Sequence, residues 1–192
     1  DTEWCDSEVL RRLRMRSLAA IRGSVEPVPP EAFARFLPVW QHVTRPLDGI
    51  DGLAAVIEQL AGIPAPASAW ESLILPSRVR DYAPAMLDEL TASGEVVWTG
   101  HGSLPGRDGW IAFHPADAAP LTLTRDDVEI AADSLDARVI EVLAAGGAYF
   151  AAQLKSLAGA ENEQSVVDAL WRLTWAGRVT NDTFAPVRTL VG

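Results

Sequence analysis

The chain has 192 residues, 48% of them hydrophobic and 22% charged, with a formal net charge of −10. That balance fits a globular protein that buries a core and excludes a disordered tail, while the acidic excess works against non-specific adhesion to phosphate. No apolar run approaches the roughly 18–20 residues that cross a bilayer, so no membrane partner is expected.

Cys5 is the one cysteine, which excludes an internal disulfide, and His42, His101 and His114 are too scattered to read as a metal site. A cytoplasmic location follows as the expectation. The sequence begins at Asp1 without a signal pattern and reads as a piece of something larger. Charge is uneven along it. Residues 1–24 hold five Arg against four acids, residues 25–131 hold 15 acids against six bases, and residues 132–192 hold seven acids against five bases.

Taken in chain order, Asp6 caps a first helix with Glu8 in its first turn and Val9, Leu10, Leu13, Leu18 and Ile21 in period, ending at Gly23. Its five arginines read either as a solvated face or as a phosphate-binding one, with pairing to the acidic section as a third option. Pro27, Pro29 and Pro30 lead into a helix over Glu31–Trp40. Helices are expected over Asp51–Ala61, over Ala69–Leu75 after a Ser68 cap, and over Ala85–Ala92. After Gly94 the period changes to extended at 95–99, and a Gly-rich turn returns through Trp110–Phe113, making a hairpin wing. Residues 115–134 are loop-rich and acidic, with 121–124 as a short strand. Helices then follow at Leu135–Ala145, Tyr149–Leu157 and Glu163–Ala176. A second, smaller wing is expected from Arg178-Val179-Thr180 returning through Thr183-Phe184-Ala185.

The two halves repeat. Val56-Ile57-Glu58-Gln59-Leu60 returns as Val139-Ile140-Glu141-Val142-Leu143, and Leu87-Asp88-Glu89-Leu90-Thr91 returns as Leu170-Trp171-Arg172-Leu173-Thr174, both at an offset of 83. Gly94 and Val96 return as Gly177 and Val179 at the same offset. That period is too long for a solenoid unit and suits two small domains in tandem. Three helices, a glycine and strands in that order describe a winged helix. The expected fold is therefore mainly α with small β wings: a helical lead-in over 1–45, a winged helix over 46–115, an acidic linker over 116–133 and a second winged helix over 134–192.

The third helix of a winged helix presents its outer face to a nucleic-acid groove. On the second module that face would carry Gln164, Asp168, Trp171, Arg172 and Trp175 outside a core stripe of Val166, Val167, Leu170 and Leu173. The nucleic-acid candidates are Lys155, Gln164, Arg172, Arg178 and Arg188, with Arg11, Arg12 and Arg16 of the first helix. The equivalent face of the first module carries Asp88 and Glu89, which DNA would repel. Trp171 and Trp175, one turn apart, either stack on unpaired bases or bury against a neighbouring module, and the interface reading is preferred. No phosphate-cradling glycine loop and no acidic ATPase motif occurs, so no catalytic residue, metal or cofactor is expected in this segment. The Asp126-Asp127 pair reads as a solvated loop.

Three stretches, 26–42, 75–82 and 175–186, resemble the Lhr (large helicase-related) family of bacterial superfamily 2 helicases. They begin Glu26-Pro27-Val28-Pro29-Pro30, Leu75-Pro76-Ser77-Arg78 and Trp175-Ala176-Gly177-Arg178. The likeness falls in the region after the helicase core. It implies a parent that hydrolyses ATP with Mg, translocates on single-stranded DNA and unwinds duplexes in DNA repair, its ATPase motifs outside this segment. It also implies a likeness to winged-helix DNA glycosylases, some of which remove uracil, but no catalytic carboxylate of that activity matches a position here. The partners implied are the helicase core of the same parent chain, DNA and a homo-oligomer; the few basic residues and the acidic balance make the expected DNA contact weak. The reading is an accessory DNA-binding or assembly module; a protein–protein tandem that never touches DNA and a glycosylase scaffold are the alternatives.

Overall fold

The computed structural model describes residues 6–23, 27–124 and 128–192, so Cys5 and the Asp126-Asp127 pair lie outside the described residues. The chain divides into two compact units, Asp1–Gln41 and His42–Gly192.

The first unit holds helices α1 (Ser7–Gly23) and α2 (Pro30–Trp40). Helix α1 starts where Asp6 predicts it: the carboxylate accepts the amides of Glu8 at 2.9 Å and Val9 at 3.1 Å, satisfying two donors of the first turn. Pro30 opens α2, and Phe36 stacks on Trp40 with ring centroids 5.5 Å apart. Neither helix buries a residue among those described.

The second unit begins with β1 (Leu47–Asp48), helix α3 (Gly49–Gln59) and β2 (Ala65–Pro66). A single α turn, α4 (Ala67–Ala69), runs into a π-helical turn over Trp70–Ile74. Strand β3 (Val79–Arg80) pairs in parallel with β1, and helix α5 (Pro84–Ala92) precedes the long hairpin of β4 (Val96–Leu104) and β5 (Asp108–Pro115). The sheet order is β2-β5-β4, all antiparallel, with Ala65 opposite Ile111 and Trp98 opposite Phe113. The expected helix over 69–75 is thus a widened turn. Ser68 does not cap it; its amide and hydroxyl donate to Asp108 at the far end of the hairpin.

Beyond the hairpin come α6 (Ala119–Thr122), α7 (Leu135–Ala144), α8 (Ala151–Leu157), α9 (Glu163–Trp175) and α10 (Ala185–Val191). Two expectations are corrected here. Residues 121–124 are not a strand: Pro120 occupies the first turn of α6, where a missing amide costs nothing, and the Thr122 hydroxyl donates back to Ala118 O. The second hairpin is also absent. Arg178 and Thr180 run without strand pairing, and Ala185, expected on a return strand, opens helix α10 with Pro186 in its first turn.

The repeated residues occupy like positions up to that point. Val56 of α3 and Val139 of α7 are both fully buried; Leu90 of α5 and Leu173 of α9 are buried too. Leu87 sits in α5 and Leu170 in α9, and Gly94 and Gly177 close the two helices with φ of +78° and +64°, a conformation that glycine adopts without strain. Val96 then enters a strand, whereas Val179 does not.

Two hydrophobic clusters form. One gathers Leu53, Val56, Ile57, Trp70, Leu87, Trp98 and Phe113 with Phe184 and Val187 from the end of the chain. Trp70 packs edge-on to Phe113 at 4.8 Å, and Phe184 lies 5.3 Å from Phe113 and 5.8 Å from Trp98. The other cluster holds Val139, Ala158, Ala169 and Leu173.

Candidate nucleic-acid interface

Helix α9 is a wall between the two clusters. Ala169, Leu173 and the half-buried Leu170 face the second cluster, while Trp171 and Trp175 pack on the first. The two indoles stack at 5.6 Å, 23° from parallel. The end of α9 meets the wing so closely that a Cβ on Gly100 would strike the backbone of Thr174, and one on Gly109 would strike the ring of Trp175. The β4–β5 hairpin is therefore covered by α9 along this side. Thr180, in the segment once expected as a strand, donates its hydroxyl to Trp98 O at 2.6 Å.

The helix-turn-helix surface of the same module is partly covered as well. Asp88, half-buried on α5, accepts the Phe184 amide at 3.2 Å and Arg188 Nη1 at 3.2 Å. Arg188 also makes a two-pronged pair with Glu71 of the π-helical turn, at 2.6 and 3.0 Å. Tyr82 completes the group by donating to Glu71 at 2.6 Å. Burial and the Glu71 carboxylate push the Tyr82 phenol up, and the Glu71 and Asp88 hydrogen bonds raise Arg188 above its ordinary value despite partial burial. Helix α10 is thus pinned across the junction of the second and third helices of the module. Sequence reasoning placed Arg188 among the DNA contacts and missed this network. The available signal was the mismatch in the repeat: Asp88 stands where the second half has Trp171.

The remaining candidates separate. Arg172 holds Asp136 of α7 through both carboxylate oxygens, at 3.0 and 2.6 Å, and so ties α9 to α7. The pair is solvent-facing on the arginine side and contributes at most about 1 kcal/mol. Gln164 donates to Asp168 at 2.8 Å, and Arg178 to the Val128 carbonyl at 3.3 Å. Lys155, in the last turn of α8, is half-buried. In the first unit Arg11 and Arg12 both pair with Glu8, whereas Arg16 has no ion pair among the described residues.

One further polar feature lies inside the first module. His114 is fully buried between Thr99, 2.9 Å from Nε2, and Thr122, 2.9 Å from Nδ1. Because the Thr122 hydroxyl donates to Ala118 O, it accepts from Nδ1–H; Nε2 then accepts from Thr99, which in turn accepts from His101 Nε2–H at 3.0 Å. That direction of donors is the one a neutral His114 gives. Burial, seconded by His101, holds that imidazole below its ordinary value.

A three-helix core with a short strand between its first two helices, joined to a hairpin, defines residues 49–115 as a winged helix, the class to which the fold assigns this part of the chain. The family model described as "Large helicase-related protein, winged-helix domain" matches residues 28–116. The chain is 58% identical to the "Lhr helicase/ probable uracil glycosylase" of Mycolicibacterium smegmatis, over 98% of its own length and 13% of that protein. It is 42% identical to the "Lhr helicase/uracil glycosylase" of Escherichia coli, over 97% of its length and 14% of that protein. The chain belongs to the Lhr family, and it spans a small part of the length of these relatives.

Proposed function

We propose that this chain is an accessory module of an ATP-dependent DNA helicase acting in DNA repair in the cytoplasm, one that positions or assembles the motor and is not catalytic by itself. The observation that carries the reading is the 58% identity to a protein named as an Lhr helicase across nearly the whole chain, on a fold whose class binds nucleic acid or protein. ATP and Mg would act in the helicase core of the same parent chain. Residues 134–192 are read as a second module of the same descent, one that gave up its wing to brace the first.

DNA contact in this reading falls to Lys155, Gln164, Arg172 and Arg178, since Arg188 is taken up by Glu71 and Asp88. About three phosphate contacts give a log K against log salt slope of roughly −3, so binding by this chain alone is weak. Replacing Arg172 and Arg178 by Ala is expected to abolish what binding exists. Titration of single-stranded and duplex DNA at two salt concentrations decides the matter; tight binding with a steep slope overturns it.

A second reading, a protein–protein module without DNA contact, is favoured by the covering of the α5 face and the wing by α10 and α9. No binding at low salt would select it. The glycosylase named for the two relatives is carried over here only as a scaffold role.

A further inference from the structure

We propose that the tip of the β4–β5 hairpin is a contact for duplex DNA, made by Arg107. The contact rests on the reading of this chain as a DNA-binding module and lies on the winged helix itself, where α10 occupies Asp88 and α9 covers one side of the hairpin. What those helices leave open is the end of the hairpin. A Cβ added at Gly102 or at Gly106 would meet nothing within 4 Å. The turn runs from Leu104 through Pro105, Gly106 and Arg107 to Asp108, the residue paired with Leu104 across the hairpin. Gly106 and Arg107 take φ of +81° and +66°, so an arginine stands where glycine would be less strained. Arg107 is exposed and forms no ion pair among the described residues, so no charge pairing there offsets the strain. A strained conformation that presents an exposed cation is suited to contact rather than to packing.

Charge and rigidity point the same way. From Val96 to Arg107 the chain holds no acid. The next residue, Asp108, is turned back into the module: its carboxylate accepts the Ser68 amide at 3.2 Å, the Ser68 hydroxyl, and the Gly109 amide at 2.8 Å. Those bonds fix the base of the turn, so little ordering remains to be done when the tip meets a ligand. A guanidinium offers phosphate two parallel donors. Residues 103–109 include no aromatic ring to stack on an unpaired base, so the tip suits the regular phosphates of a duplex rather than a single strand. One such contact is too weak to hold DNA alone, and it adds to those on residues 134–192.

Anisotropy titrations test it, using the whole chain, a labelled duplex of mixed sequence and one of its strands, each at two salt concentrations. Arg107→Gly removes the charge and relieves the left-handed position, so the variant should melt no lower than the wild type. It should bind the duplex roughly tenfold more weakly at low salt. Its log K against log salt slope on the duplex should be shallower by about 0.9, the share of one phosphate. Single-strand binding should be unchanged. Arg107→Lys keeps the charge and should keep the slope. Equal duplex affinity and slope in the wild type and Arg107→Gly would overturn the tip contact and leave the DNA-binding reading standing, whereas a wild type that binds no DNA at low salt overturns both. An equal loss on single strand and duplex would overturn the duplex assignment. A slope lost as fully in Arg107→Lys as in Arg107→Gly would overturn the role of the charge.

Discussion

His114 is fully buried, yet both of its ring nitrogens are satisfied and neither faces a carboxylate. Its consequence is a pH dependence. The folded protein binds the proton less readily than the unfolded chain, whose histidine titrates near about 6.5. Between the two values the unfolded state alone is protonated, so acidification favours unfolding. The contribution to stability is complete above the unfolded value and is lost as pH falls from there through the folded one. Urea denaturation from neutral to mildly acidic pH should show that loss. In His114→Gln the protein should be less stable at neutral pH, for want of one hydrogen bond, but its stability should fall less steeply on acidification. An unchanged slope in the variant would assign the titration to another group.

At the scale of elements, α10 has seven residues and no capping side chain, so its place depends on packing rather than propensity. Phe184 and Val187 bury in the first cluster, and Asp88 fixes the entry to the helix through the Phe184 amide and Arg188. Asp88→Ala leaves a half-buried guanidinium with Glu71 alone and an amide without an acceptor. The loss should be about 1–3 kcal/mol, or several degrees in melting temperature, whereas Glu89→Ala on the exposed side of α5 should lie within about 0.5 kcal/mol of wild type. Equal behaviour of the two variants would mean that Asp88 does not pin α10. Helix α9 follows the same logic with apolar contacts: its tryptophans point away from the cluster around Val139 and into the one around Trp98.

For the whole molecule, sharing of α9 and α10 between clusters predicts how the chain comes apart. Modules joined only by a linker over 116–133 would unfold in two separable steps. With Phe184, Val187, Trp171 and Trp175 all packed on the first cluster, the unit His42–Gly192 should lose tryptophan fluorescence and helical dichroism together, in one cooperative transition. A chain ending after Gly177, which removes Phe184 and Val187 from the aromatic core, should melt at a much lower temperature; a cluster unaffected by that truncation would refute the shared core. Net charge belongs to this scale as well: at −10, the molecule offers DNA no broad basic field, and only local surfaces can bind it.

What the sequence by itself determined was local. Asp6 as a cap, Pro30 at a first turn, Gly94 and Gly177 as helix ends, the helices around Val56, Leu87 and Val139, and the hairpin after Gly94 all follow from side-chain period, capping and permitted φ, which are fixed within a few residues. The family likeness was legible in three short stretches for the same reason. The segment 178–191 was not legible. Its alternation of Val179, Phe184 and polar neighbours suits a strand as well as a loop entering a helix, and the choice falls to a slot between Trp98 and Phe113 that exists only once α3, α5 and the hairpin have packed. The same holds for Arg188, Trp171 and Trp175: a charge or an indole on a helix face can serve DNA or a neighbour, and only the tertiary structure, by bringing Glu71 and Asp88 to one and the wing glycines to another, decided which groups remained exposed.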